Sequence, residues 1–416
     1  MKKIVIITFA AFLLQSCGAS YQLKHKLSKE KNNYFKGFVL YNPETKKNLV
    51  SYNADSYFLP ASTTKLFTFY TAYNVLADSL ATFDMYENDK ELVLKAKAEP
   101  SLLYDIPNKT LVYLKGTKKQ IYVLDKQHID DSKFGSGWAW DDFEYDYQAE
   151  KSIFPVYGNL VTILRYNKGA YIKPAYFRGD LNDTTTVNYY RDLTKNKFYI
   201  KSSRLKDSVQ VPFLTSLPQS AFLLGEAINK MIFIKDTMPI NTVFKPYKSV
   251  KSQDVYRKML HKSDNFIAEQ LLLMVSKKLD SGYATAPAIK YILQEKLANL
   301  PQKPRWVDGS GLSRYNLFSP NDMVFLLDKM QAEIPQDYLF DVLKPITKLK
   351  GMEASSNPYV YAKSGSMSNN RNLCGYVQTK SGKWLIFSIM NNHFKKKNSD
   401  INAEMGELLN FIHKKF

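Results

Sequence analysis

Between Gly37 and Tyr57, apolar and polar positions alternate in runs short enough for strands. Phe38-Val39-Leu40-Tyr41 is followed by a turn at Asn42-Pro43-Glu44 and then by Leu49-Val50-Ser51-Tyr52. Two such runs about a turn predict a hairpin. After Pro60-Ala61-Ser62 the period changes. Leu66, Phe69, Tyr70, Tyr73 and Leu76 recur at helical spacing, the single buried face of a helix that opens at Ser62. From about 81 to 245, strand-like runs such as Glu91-Leu92-Val93-Leu94 and Thr110-Leu111-Val112-Tyr113-Leu114 are separated by charged turns, and the first long helical pattern is Ala221 to Ile234. This stretch reads as a mainly β insertion. Helical periodicity returns at 252–279, 286–299 and 320–332. Two strands, Asn372 to Gln378 and Trp384 to Met390, and a helix from Ile401 to Phe416 close the chain.

Composition narrows the class. The chain has 416 residues, 45% of them hydrophobic and 14% aromatic, ample for a buried core and unlike a disordered chain. The formal charge is +19. Charge of this size attracts anionic partners in general. The lysines are scattered through runs such as KNNYFK, KAKAEP and FKKKN, with no nucleic-acid-binding module around them. A nucleic-acid partner is therefore not expected.

The N-terminus carries an address. Lys2 and Lys3 precede an apolar run, Ile4 to Leu14, too short to span a bilayer as a helix. Leu14-Gln15-Ser16-Cys17-Gly18 resembles a bacterial lipobox, so residues 1–17 read as a lipoprotein signal peptide with Cys17 as the lipidated residue. An ordinary secretory signal with an incidental cysteine is the alternative. Residues 21–36, polar and basic, read as a tether. Cys374, inside an apolar strand, reads as a small core residue.

Chemistry enters with three short motifs. Ser-x-x-Lys puts an amine beside a hydroxyl when both lie in one helical turn, and the free N–H groups of a helix start favour developing negative charge. The pattern occurs at Ser28-Lys31, Ser62-Lys65 and Ser203-Lys206, but only Ser62-Thr63-Thr64-Lys65 opens a long amphipathic helix. Ser263-Asp264-Asn265 lies between two helical patterns; alone it would serve as a helix cap. Lys363-Ser364-Gly365-Ser366 follows a strand-like run, whereas Lys380-Ser381-Gly382 is turn chemistry between two strands.

In this order and context the three motifs are those of penicillin-binding proteins and serine β-lactamases, with Ser for Thr in the third. Trp306-Val307-Asp308-Gly309-Ser310-Gly311-Leu312-Ser313-Arg314 and Gly137-Trp138-Ala139-Trp140-Asp141-Asp142 narrow the resemblance. The chain is similar to the D-alanyl-D-alanine carboxypeptidase/endopeptidase family, peptidase family S13, over about residues 37 to 395. Glu91 to Pro100 lacks the glycines usual in the corresponding family stretch.

The resemblance implies an α/β (α+β) transpeptidase-like catalytic domain of residues 21–80 plus 246–416, an antiparallel sheet flanked by helices, with residues 81–245 inserted. It implies an acyl-enzyme on Ser62, Lys65 with a lowered pKa as base, Ser263 as proton relay and Asn265 as holder of the substrate backbone. Lys363 and Ser364 would bind the terminal carboxylate. Gly365 would admit the substrate backbone, and the N–H groups of Ser62 and Ser366 would form the oxyanion hole. Asp142, or Asp141, and Arg314 would contact the stem peptide. No metal or cofactor is implied. The partners would be peptidoglycan stem peptides, β-lactams as covalent inhibitors, and the envelope membrane through the lipid. A β-lactamase or esterase on the same core, and a non-catalytic envelope-binding protein, are the alternative functions.

Overall fold

The computed structural model describes residues 18–28, 33–167, 169–184 and 188–416. The chain divides into two compact units: residues 1–67, 292–307 and 314–416, and residues 68–291 with 308–313. Among the described residues, no helix is long and apolar enough to cross a membrane.

The first unit is built on a five-stranded antiparallel sheet. Its order is Val360–Met367, Asn370–Gln378, Trp384–Asn392, Phe35–Asn42, Lys47–Tyr52. The predicted hairpin and the C-terminal strands are all present. One face of the sheet contributes Phe38, Leu40, Val360, Ala362, Phe387 and Ile389 to a core with Ile401, Met405 and Leu409 of the helix Asn398–Lys415. Residues 18–28 are helical, and Leu23 and Leu27 are buried in the same core. The expected tether is thus corrected over 21–28. Two leucines four apart give this basic segment an apolar stripe, and Lys26 adds an ion pair to Glu407.

The second unit holds a five-stranded mixed sheet of order Ile232–Lys235, Gln120–Leu124, Glu91–Ala96, Ser79–Glu87, Lys245–Lys251. It also holds two three-stranded sheets, one of them Ser208–Pro212, Leu160–Tyr166, Gly169–Lys173. Two expectations are corrected here. Thr110–Gly116 is a helix, opened by Asn108, whose Oδ1 accepts from Thr110 N at 2.8 Å; its buried residues, Thr110 and Leu114, are four apart. The helix expected over Ala221 to Ile234 is Leu217–Ile228, which stops where Asn229 takes φ 57°, and a strand follows. The helices Ser252–Lys262 and Asn265–Lys278 are separated at Ser263, also left-handed at φ 57°, with Asp264 capping the second.

Candidate active site

The Ser62 turn is held by hydrogen bonds that begin two residues before it. The Asn372 amide donates to the carbonyls of Leu59 (2.8 Å) and Pro60 (2.9 Å), and Leu59 N donates to Asn392 Oδ1 at 2.6 Å. Both asparagines are buried on neighbouring strands. Ala61, at φ 48°, then starts a 3₁₀ turn, Ala61–Thr64, that leads into the helix Lys65–Val75. Thr63 and Thr64 return their hydroxyls to the carbonyls of Pro60 and Ala61. Ser62 is half-buried, and Lys65, fully buried, donates from Nζ to Ser62 Oγ at 3.0 Å.

The strand Val360–Met367 packs against this turn. A Cβ on Gly365 would lie 2.4 Å from Pro60 O and 3.2 Å from Ser62 N. The space left by the missing side chain is therefore filled by the Ser62 turn itself, a reason for glycine that the sequence did not reveal. Lys363, on the same side of the strand two residues earlier, is 2% exposed and donates to Ser364 O at 2.7 Å. Burial, and then the charges of Lys65, Arg371 and Lys344, hold its amine well below the ordinary lysine range. Lys363 is thus hemmed in by cations as well as buried, and both effects disfavour its charged form. Ser366 sits opposite Arg371, which donates to its hydroxyl and, through Nε, to Asn402 Oδ1 at 2.9 Å. The strand is at the edge of its sheet. Residues 344–346 pair with it at Val360 to Ala362, and that pairing ends before Lys363.

Ser263, Asn265 and Asp142 are in the second unit. Asn265 Nδ2 donates to Tyr147 O at 2.9 Å, and the Tyr147 hydroxyl bonds Asp142; burial and that carboxylate both push the phenol up. Asn265 and Asp142 are therefore joined through one tyrosine. Tyr104, missed in the sequence, fixes the middle residue of the motif: its hydroxyl donates to Asp264 Oδ2 at 2.7 Å, and Lys258 sits 3.7 Å over its ring. A cavity of about 540 Å³ adjoins Ser263–Asn265, lined in part by Tyr104, Asp146, Tyr147, Lys258 and Lys262. Asp308 links two of the signature segments, accepting from Trp138 Nε1 at 2.8 Å and from Ser313 N at 2.6 Å. Arg314, in the first unit, is exposed beside Tyr315, whose ring lies under Arg305. Ser203, of the third Ser-x-x-Lys, lies in a separate 3₁₀ turn, Ser202–Arg204. Cys17 and Lys31 are outside the described residues.

The chain matches the profile of the D-Ala-D-Ala carboxypeptidase 3 (S13) family over residues 19–180 and 195–411. It belongs to that family. Among curated relatives of this S13 enzyme, the D-alanyl-D-alanine carboxypeptidase DacB of Haemophilus influenzae is 24% identical over 427 residues, covering 90% of this chain and 89% of the relative. The penicillin-sensitive carboxypeptidase A of Dictyostelium discoideum is 22% identical, covering 85% and 81%. The fold is that of penicillin binding protein 4 (dacB) from Haemophilus influenzae, with a TM-score of 0.72 at 20% identity over 95% of this chain and 99% of that one. The same protein complexed with a β-lactam matches at 0.65. The protein is thus a serine D-Ala-D-Ala carboxypeptidase by family, and the transpeptidase-like fold class is established.

Proposed function

We propose that the enzyme removes the terminal D-alanine of peptidoglycan stem peptides through an acyl-enzyme on Ser62. The observation that carries this reading is the 3.0 Å hydrogen bond from Lys65 Nζ to Ser62 Oγ, in a turn braced by Asn372, Asn392 and Gly365. Lys65 takes the hydroxyl proton as Ser62 attacks the carbonyl between two D-alanines. The substrate backbone lies along the strand edge beyond Ala362, where Ser364 binds the terminal carboxylate. Ser366 N–H, with Ser62 N–H, faces the developing oxyanion. Lys363, with Ser364, meets the terminal carboxylate, whose negative charge offsets the burial and the neighbouring cations that disfavour a proton on its amine. Ser263 passes the proton to the leaving amine, and Asn265 holds the peptide. Asp142, tied to Asn265 through Tyr147, meets the amino group of the stem-peptide diamino acid; Arg314 is a further peptide contact. Water releases the product, and endopeptidase cleavage of cross-links follows the same steps.

Residues 81–245 are read as an insertion into a catalytic domain of residues 21–80 and 246–416. In support, the strands at its two ends are neighbours: Ser79 pairs with Lys251 and Met85 with Lys245. Entry and exit side by side are what an inserted domain needs. The enzyme is read as a lipoprotein anchored through Cys17 and facing the periplasm. Release of D-alanine from a stem pentapeptide tests the activity. Wild type should release it and Ser62→Ala should not; equal release by both would refute the assignment.

A further inference from the structure

The loop Asp308–Ser313 touches two helices at once. On one side, Gly309 O accepts from Thr68 Oγ1 at 2.6 Å, and Thr68 lies three residues beyond Lys65 in the helix Lys65–Val75. On the other, Ser310 N donates to Glu269 Oε1 at 2.8 Å, and Glu269 lies one turn beyond Asn265 in the helix Asn265–Lys278. Gly309 is seated on that second helix so closely that a Cβ would come within 2.5 Å of Ala268 O. Asp308 locks the loop internally through Gly311 N (2.9 Å) and Ser313 N (2.6 Å).

We propose that Glu269 is a positioning residue for acylation: it pins the Asp308–Ser313 loop to the helix of the Ser-Asp-Asn motif, and the loop sets that helix against the helix of the Ser-x-x-Lys motif. The proposal rests on the reading of Ser62 as nucleophile. Glu269 is 1% exposed, and its Oε2 has no hydrogen-bond partner among the described residues. An anion in that place would be costly. The charged groups facing it are Asp308 from the loop and Lys151 from the segment preceding Ser152; Lys151 is itself committed to Asp131 at 2.8 Å. Burial, and then the Asp308 charge, push the Glu269 carboxyl up to about 7 against the opposing pull of Lys151. Near neutral pH the Glu269 carboxyl therefore keeps a proton that an exposed glutamate would have lost.

The sign follows from linkage. The folded pKa, about 7, lies above the ordinary 4.5. As pH rises through that window the unfolded chain loses a proton that the folded chain keeps, so native stability falls, and above it the penalty is constant. Glu269→Gln keeps the acceptor for Ser310 N and abolishes the penalty.

The test measures the acylation rate by a fluorescent penicillin, and thermal unfolding, for wild type, E269Q, E269A and T68V. E269Q should acylate within about threefold of wild type, and its Tm should exceed wild type at pH 8, the gap closing toward pH 4.5. E269A should lose roughly 20- to 100-fold in acylation rate at saturating penicillin, with little change in the initial binding constant, because misplacement costs rate before affinity. T68V severs the other contact and should lose at least about tenfold in the same parameter, which keeps the test open should E269A fail to fold. Wild-type rates in E269A or T68V, or a loss in E269Q matching that in E269A, would overturn the proposal. A wild-type protein that takes no penicillin would refute the Ser62 reading instead. In that case an unchanged Tm in E269Q at pH 8 would still overturn the retention of a proton by Glu269.

Discussion

At the scale of single residues, the two lysines divide the work by position. Lys65 is the one that touches Ser62. Lys65→Arg keeps a cation but supplies no base near neutral pH. Its acylation rate should fall by roughly 10²–10⁴, the ordinary worth of a positioned general base. Lys363 should behave differently. Its folded pKa is lowered, so below the unfolded lysine value the native state resists a proton that the unfolded chain takes up freely. Stability therefore falls as pH drops below the unfolded pKa and levels off below the folded one. Lys363→Gln removes this cost. Its Tm should exceed wild type at pH 7, the advantage should shrink toward pH 10, and affinity for a D-Ala-D-Ala peptide should drop. A stabilised variant that binds substrate poorly is what a strained functional residue predicts. A Tm below wild type at pH 7 would contradict it.

At the scale of elements, the strand Val360–Met367 and its neighbours work as a jig for the Ser62 turn. Gly365→Ala would push a methyl to within 2.4 Å of Pro60 O, backbone that has no free end to yield. Acylation should fall by about 10²-fold from displacement of Ser62, with about 1–3 kcal/mol lost in urea unfolding from overpacking. Asn372→Ala should act similarly, since it removes one donor from each of the carbonyls of Leu59 and Pro60, leaving Leu59 O to Asn392 and Pro60 O to Thr63. This is where sequence reading reached its limit. Ser62-Lys65, Ser263-Asn265 and Lys363-Ser366 were legible because each sits at a helix start, an interhelical turn or a strand. Asn372, Asn392, Tyr104 and Glu269 were not, because their partners lie far along the chain. Their one signal was polar chemistry inside apolar segments, as in Asn372-Leu373-Cys374 and Leu385 to Asn392. Thr110–Gly116 was misread because a five-residue apolar run fits a strand and a short helix equally, and the Asn108 bond that decides it is a matter of one side chain.

At the scale of the whole molecule, the helix over 18–28 changes the expected link to the membrane. With Leu23 0% and Leu27 2% exposed, this segment is part of the core of the first unit, leaving little free chain after residue 17. Leu23→Ala or Leu27→Ala should cost about 2–5 kcal/mol in denaturant unfolding. The proposed lipidation of Cys17 predicts that Cys17→Ser leaves the membrane fraction yet keeps the wild-type carboxypeptidase rate, compared between detergent-solubilised wild type and the released variant; a variant that stays with the membrane would contradict it. A polar, basic stretch concealed this helix because two leucines suffice to seat it once a partner face exists, and the partner, Asn398–Lys415, is at the far end of the chain. The central claim, a lysine-activated serine that forms an acyl-enzyme, is tested most directly by the intact mass of the protein after brief exposure to benzylpenicillin, followed by peptide mapping. One penicillin should be attached per chain, on Ser62, and none in Ser62→Ala; an adduct elsewhere, or one that survives in Ser62→Ala, would contradict it.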